Sequence, residues 1–246
     1  MSNMANSFFQ FKQFTIRQDR CAMKVTTDAC LFGAWAAREI ANKKPEAGEI
    51  LDIGAGTGLL TLMLAQKTNS SIDGIEIDKD AYQQAKENFA SSLWSNRIKI
   101  IHGDVKTFSF EKKYDIIVSN PPFYENELRS ENRKKNIALH DEGLLLDKLL
   151  DIIKQNLLPG GRFYLLLPYK RNNEIKKLFG QQQFAINRKV VVRQSTNHDY
   201  FRIIVAGKFQ QENQTEFLTN EISIWNNKQQ YTEEFISFLK DYYLHL

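Results

Sequence analysis

Glu49-Ile50-Leu51-Asp52-Ile53-Gly54-Ala55-Gly56-Thr57-Gly58-Leu59-Leu60 is the stretch from which the architecture of this 246-residue chain can be read. Glu49–Ile53 has the short apolar character of a buried parallel strand, and a helix follows to Lys67. The alternate glycines between them let a ligand come close to the backbone. A strand, a glycine turn and a helix form the nucleotide-binding unit of a doubly wound sheet. Outward from this unit, strands and helices alternate. Thr27–Lys44 reads as a helix with Ala29, Phe32, Gly33, Ala36 and Ile40 on one side, broken by Pro45–Gly48. Downstream come a strand Ser71–Ile77, a helix from Asp78 to about Ser91 with Asp78 or Asp80 at its start, and strands Arg97–His102 and Tyr114–Ser119. A long loop reaches Gly143. A helix Leu144–Leu157 then stops at a turn, Pro159-Gly160-Gly161, before a strand Arg162–Pro168 and a short helix Asn172–Gly180. Phe184–Gln194 and Tyr200–Phe209 read as an antiparallel hairpin, Phe217–Trp225 as a further strand, and Thr232 as the cap of a helix to about Tyr243. The expected fold is α/β, Rossmann-like, a mostly parallel sheet with a C-terminal antiparallel hairpin. Residues 1–48 read as a basic and aromatic extension with a helix, 49–209 as the ligand-binding domain, and 210–246 as a strand and helix packed on it.

Two details of the glycine turn disfavour a dinucleotide. Its spacing is G-x-G-x-G rather than G-x-G-x-x-G, and Asp52 stands where a pyrophosphate would be repelled. An acid there suits a ligand with a cationic amino group and no phosphate, and S-adenosylmethionine is such a ligand. Glu76 ends the next strand, positioned to accept from both ribose hydroxyls, and Asp104 (with Val105 beside it) offers an acceptor for the adenine amine one strand later. Each acid singly is an ordinary cap or turn residue. Together Asp52, Glu76, Asp104 and Asn120 mark four successive strand ends and one crevice.

Asn120-Pro121-Pro122-Phe123 follows the strand Tyr114–Ser119. The amide oxygen of Asn120 and the Pro121 carbonyl can accept both hydrogens of an amino group on a flat ring, while Phe123 stacks on the plane. Such acceptors favour a nitrogen lone pair pointing out of the ring, which is what methylation of an exocyclic amine requires. Read alone, Asn-Pro-Pro is also a common turn.

These motifs resemble the class I S-adenosylmethionine-dependent methyltransferases over about residues 24–209, and Asn120–Phe123 resembles their amino-methylating branch. Within that branch, Phe11–Val25, Thr27-Asp28, Gly33-Ala34-Trp35 and the ending Tyr231-Thr232 and Leu239–Leu244 are similar to the bacterial tRNA1(Val) adenine-N6-methyltransferases. The resemblance implies methylation of adenine 37 beside the anticodon, with Thr27 and Asp28 near the methionine end of the cofactor. The expected mechanism splays the target base out of the loop into the pocket, where Phe123 stacks on it with Tyr124 assisting. Other acceptors stay open: a release-factor glutamine, whose enzymes carry a longer helical N-terminal domain; a guanine N2 of rRNA; and DNA adenine, for which no target-recognition domain is visible. A non-catalytic RNA-binding protein on this fold is a further alternative.

Charge is sectored. Residues 162–193 hold eight Lys/Arg against Glu174 alone, a net of +7, whereas the whole chain carries +4. This predicts one basic surface facing a polyanion, with Arg188, Lys189 and Arg193 on a strand as candidate RNA contacts. Tyr124, Arg129, Lys134 and Lys135 in the long loop are further candidates. His140 reads as the cap of the following helix, with contact to substrate as the alternative. Cys21 and Cys30 form neither a disulfide framework nor a metal pattern, so no metal is expected. Without a signal peptide or membrane-length apolar run, a cytoplasmic protein with no obligatory protein partner is expected.

Overall fold

The computed structural model describes residues 7–21, 23–43, 48–121, 146–209 and 218–246. Strands β1 (Phe8–Gln10) and β2 (Thr15–Arg17) form an antiparallel hairpin before helix α1 (Thr27–Lys43). β3 (Glu49–Ile53), α2 (Leu59–Lys67), β4 (Ser71–Glu76), α3 (Lys79–Ala90), β5 (Ile98–His102) and β6 (Tyr114–Ser119) follow. Then come α4 (Leu146–Asn156), β7 (Leu157–Pro168), α5 (Asn172–Gln181), β8 (Phe184–Ser195), β9 (Tyr200–Phe209), β10 (Leu218–Trp225) and α6 (Glu233–Leu239). β3 to β10 make one sheet in the order β10-β8-β9-β7-β6-β3-β4-β5. β5, β4, β3, β6 and β7 are mutually parallel, β9 is antiparallel to both its neighbours, and β10 lies parallel to β8.

The continuous apolar character of β3 and β6 follows from burial on both faces of the sheet. One core joins side chains of α1, α2, α3 and α6 to the sheet, and a second joins those of α4 and α5 to its other face. The chain runs outward from β3 to β4 and β5, then returns to place β6 on the other flank of β3. That reversal makes the β3/β6 boundary the topological switch point, where open α/β sheets bind ligands.

Several expectations change in three dimensions. α1 is buried nearly all round rather than on one side, since Cys30, Leu31, Ala34, Trp35 and Ala37 are also enclosed. Pro159–Gly161 lies inside β7: the pairing jumps from Tyr114↔Leu157 to Ile116↔Arg162, so the intervening residues bulge without ending the strand. The last helix ends at Leu239, not near Tyr243. Past it, tertiary partners take over: the Tyr242 hydroxyl donates to the Met63 carbonyl at 3.0 Å, and Tyr243 bridges to Phe11. The β1–β2 hairpin has no counterpart in the sequence reading. It is held by that ending, with Lys12 N–H donating to the Tyr242 carbonyl at 2.8 Å and Phe11 stacked on Phe14.

Candidate functional site

The turn after β3 is folded back by two backbone bonds, from Gly54 N–H and Ala55 N–H to the Ile75 carbonyl at 3.0 and 3.1 Å. Gly54, Gly56 and Gly58 have φ of 71°, 56° and 86°, the left-handed region that other residues rarely occupy. A Cβ on Gly54 or Gly56 would enter open space, whereas one on Gly58 would lie 2.2 Å from the Phe89 ring. The first two glycines thus keep a cradle clear, and the third permits packing against α3.

Asp52 lies under this turn with 0% exposure. Its Oδ2 accepts from the Thr61 hydroxyl at 2.8 Å, and Oδ1 is buried with no partner. Desolvation pushes its pKa up from 3.8 to about 7, the Thr61 bonds oppose this, and the Glu76 carboxylate adds to the rise. Glu76 does more than offer a free carboxylate: Oε2 accepts from Gly56 N–H and Oε1 from Asp78 N–H, both at 2.8 Å. It pins the glycine turn to the end of β4 while further lone pairs stay available. Asp78 caps α3 by accepting from Ala81 N–H at 2.8 Å. Asp104 likewise supports its own turn, accepting from Lys106 N–H at 2.9 Å, with Val105 half-buried beside it. Between these acids Ile77 is 61% exposed, an apolar side chain at the crevice rim that the sequence reading passed over.

On the other flank of the switch point, the Ser119 hydroxyl donates to the Ile53 carbonyl at 2.8 Å, tying the end of β6 to the start of the glycine turn. Asn120 follows half-buried and Pro121 buried. Pro122, Phe123, Tyr124, Arg129, Lys134, Lys135 and His140 lie outside the described residues. Thr27 and Asp28 begin α1, where Asp28 accepts from Arg202 Nε on β9 at 2.7 Å. That carboxylate already has a cationic partner.

The three basic residues expected on a strand face lie on β8. Arg188 lies level with the first residue of β10, toward the opposite edge of the sheet from Asn120, and pairs with Glu39 at 3.5 Å. Lys189 is only 8% exposed and donates to Asn172 Oδ1 at 2.9 Å; burial lowers its pKa. It cannot reach a phosphate without leaving that pocket. Arg193 stands at the correct edge but is engaged by the Ser223 hydroxyl at 2.8 Å, the Thr196 carbonyl and Glu221. Adjacent strand residues point to opposite sides, and each of these three cations has a partner within the fold.

A second wall comes from residues before α1. Asn88 Oδ1 accepts from Arg17 N–H at 3.0 Å, and its Nδ2 donates to the Arg17 and Thr57 carbonyls at 3.1 and 2.9 Å. Gln84 accepts from Arg20 N–H and donates to Asp19, and Glu87 pairs with Arg20. Residues 17–20 are thereby laid along α3 beside the glycine turn. Cys21 continues this segment: burial raises its pKa, and the Glu76 and Asp78 carboxylates raise it further, which places it by the acids of the crevice. The signal in the sequence was Gln84, Glu87 and Asn88, a polar stripe at helical spacing in which Gln84 and Asn88 are fully enclosed.

A five-stranded parallel sheet extended by antiparallel β9 and then by β8 and β10, with a glycine turn at its switch point, is the fold of the class I S-adenosylmethionine-dependent methyltransferases. The family described as the methyltransferase small domain matches residues 37–192. A tRNA1(Val) (adenine(37)-N6)-methyltransferase of Dyadobacter fermentans is 43% identical over 81% of each chain. One of Cytophaga hutchinsonii is 38% identical over 99% of this chain and 100% of its own. The chain belongs to the family of tRNA1(Val) (adenine(37)-N6)-methyltransferases. Among solved structures, a "predicted O-methyltransferase" of Agrobacterium tumefaciens superposes with a TM-score of 0.67 at 15% identity, covering 87% of this chain and 96% of its own. A glycopeptide N-methyltransferase complexed with S-adenosyl-L-methionine gives 0.53 at 15% identity over 72% and 94%. Both likenesses concern the fold. Among the described residues no helix is long and apolar enough to cross a membrane.

Proposed function

We propose that this protein transfers a methyl group from S-adenosylmethionine to N6 of adenine 37 in tRNA1(Val), in the cytoplasm. The observation that carries the reading is the meeting of Asn120-Pro121 with the glycine turn at the β3/β6 switch point, in a chain with relatives of that activity along almost its full length. The residues present fit the cofactor. Gly54 and Gly56 leave open space above the turn, and Asp52 Oδ1 is a buried acceptor with no partner. Glu76 keeps lone pairs for ribose hydroxyls after binding two backbone N–H groups. Asp104 would take the adenine amine, Ile77 and Val105 would flank the ring, and Thr27 and Asp28 would border the methionine end. When bound, the cofactor supplies a methyl carbon on a cationic sulfur.

Everything else is the work of the chain. The Asn120 amide oxygen and the Pro121 carbonyl would accept the two hydrogens of N6, which would turn the nitrogen lone pair out of the purine plane. Phe123 stacks on the extruded base, with Tyr124 assisting. The amine becomes acidic only as its new bond forms and then releases one proton to water, so a strong base is not required beforehand. Asn120 thus acts by positioning and electrostatics. The test is nucleoside mass spectrometry of an unmodified tRNA1(Val) transcript after incubation with protein and S-adenosylmethionine. N6-methyladenosine is expected, and it should vanish when adenine 37 is replaced by guanine. A product that survives that replacement, or no product, overturns the assignment.

A further inference from the structure

The carboxyl edge of the sheet has two wings, and the cofactor accounts for only one. Its acids and glycines belong to β3, β4 and β5. The other wing, from Asn120 across the tips of β7, β9, β8 and β10, is left for RNA flanking the target base. At about 4.8 Å per strand that ledge runs roughly 19 Å from β6 to β10. Registers place its parts: Pro168 is level with Arg202, Arg193 with Tyr200 and Ser223, and Ser195 with Trp225.

The ledge carries aromatic rings held in fixed positions. Tyr169 and Tyr200 pack with ring centroids 5.1 Å apart, and the Arg193 guanidinium lies over Tyr200 at 5.6 Å. Further out, Trp225 stacks on Tyr231 at 4.1 Å with the planes inclined by 21°, and Tyr231 in turn stacks on the enclosed Phe235 at 4.6 Å. Trp225 is nevertheless 37% exposed. The tips are tied together: Arg193 reaches both Ser223 and the Thr196 carbonyl, and the Thr196 hydroxyl bonds Asn227. Asn226 Oδ1 closes the β10 turn by accepting from the Lys228 and Gln230 N–H groups at 2.8 and 3.0 Å. The Tyr169–Tyr200 pair packs against one core and the Trp225–Tyr231 stack against the other, with Glu221 beside Arg193 and Tyr200. Rings fixed at strand tips suit unpaired bases, because every base offers a π-face.

We propose that this ledge is the docking surface for the single-stranded nucleotides flanking the target adenine, with Trp225 and the Tyr169–Tyr200 pair as stacking platforms. Arg193 lies over Tyr200 and holds it in place. The inference rests on the proposed tRNA activity, and the experiment separates the two. An anticodon stem-loop RNA labelled with fluorescein is titrated by anisotropy, and methylation of the full transcript is measured in parallel. Trp225→Ala is expected to raise both the hairpin Kd and the KM for tRNA about tenfold. Its affinity for S-adenosylmethionine should stay within a factor of about two, which also reports that it is folded. Trp225→Phe, which keeps a ring, is expected to recover most of the loss, and Tyr200→Leu to reproduce it. Unchanged Kd and KM in Trp225→Ala and Tyr200→Leu overturn the ledge while leaving the activity standing. Hairpin binding that depends on Trp225, without methylation at adenine 37, upholds the ledge and overturns the activity. A wild-type protein that does not bind the hairpin overturns the ledge, as does a dimer by sedimentation that Trp225→Ala dissolves.

Discussion

Asp52 is held in a dry site with one oxygen bonded and the other bare, which makes it respond to pH in two opposite ways. Its carboxyl titrates near 7 in the ligand-free fold against an ordinary 3.8, because burial penalises the charge. Between those values the folded protein holds a proton that the unfolded chain has released. Stabilisation from this group is complete below 3.8 and is lost as pH rises through 7. The difference in Tm between pH 6 and pH 8 is therefore expected to shrink in Asp52→Asn, measured by calorimetry without ligand. Cofactor affinity runs the other way, since only the ionised carboxylate attracts an ammonium. The Kd for S-adenosylmethionine should rise by up to about tenfold per unit as pH falls below 7, and titration calorimetry across that range would expose a flat profile as the contrary result. Asn120 belongs to the other flank of the crevice. Asn120→Ala is expected to lower kcat on the order of a hundredfold with cofactor affinity retained; a collapse of cofactor binding would show that its role is misassigned.

At the scale of elements, α3 acts as a bracket between the glycine turn and the segment preceding α1. Phe89 fills the space that a side chain on Gly58 would need, and Asn88 is bonded to Arg17 on one side and to Thr57 on the other. Removing that amide takes the partner from the buried Thr57 carbonyl, at about 1–3 kcal/mol, and from two part-buried backbone groups of Arg17. Asn88→Ala is expected to weaken S-adenosylmethionine binding about tenfold, with kcat nearly unchanged, because the turn loosens while Asn120 stays in place. Equilibrium binding and steady-state kinetics on the same preparation check this split; a fall in kcat alone would contradict it. Glu87→Ala, which removes only the exposed pair with Arg20, should leave both quantities close to wild type. The early end of α6 follows the same rule: the helix stops where a distant partner, the Lys12 N–H on the Tyr242 carbonyl, binds the backbone in place of its own continuation.

The whole molecule is closed by its two ends. Tyr242 and Tyr243 are buried, one bonded to Met63 on α2 and the other bridged to Phe11, so the C-terminal residues anchor the β1–β2 hairpin against α1 and α2. Deleting residues 240–246 removes two enclosed aromatic side chains and is expected to cost about 3–5 kcal/mol or more. Urea unfolding would measure it; an unchanged midpoint would mean that the two ends fold independently. The alternation of elements, the antiparallel β8–β9 pair, the glycine turn, the acids at successive strand ends and the amide after β6 were all legible in the sequence. Those features rest on local periods and on residue types whose backbone preferences act within a few positions. The hairpin of residues 8–17, the double bonding of Glu76, the enclosure of Lys189, the capture of Arg193 and the elevated pKa of Asp52 were decided by the tertiary structure. Each depends on which groups meet across the fold, such as Asn88 with Arg17 some 71 positions away. Hydrogen-bond partners and desolvation at that range leave no periodic trace in the chain, so the chemistry of the crevice was written in the sequence and its electrostatics only in the packing.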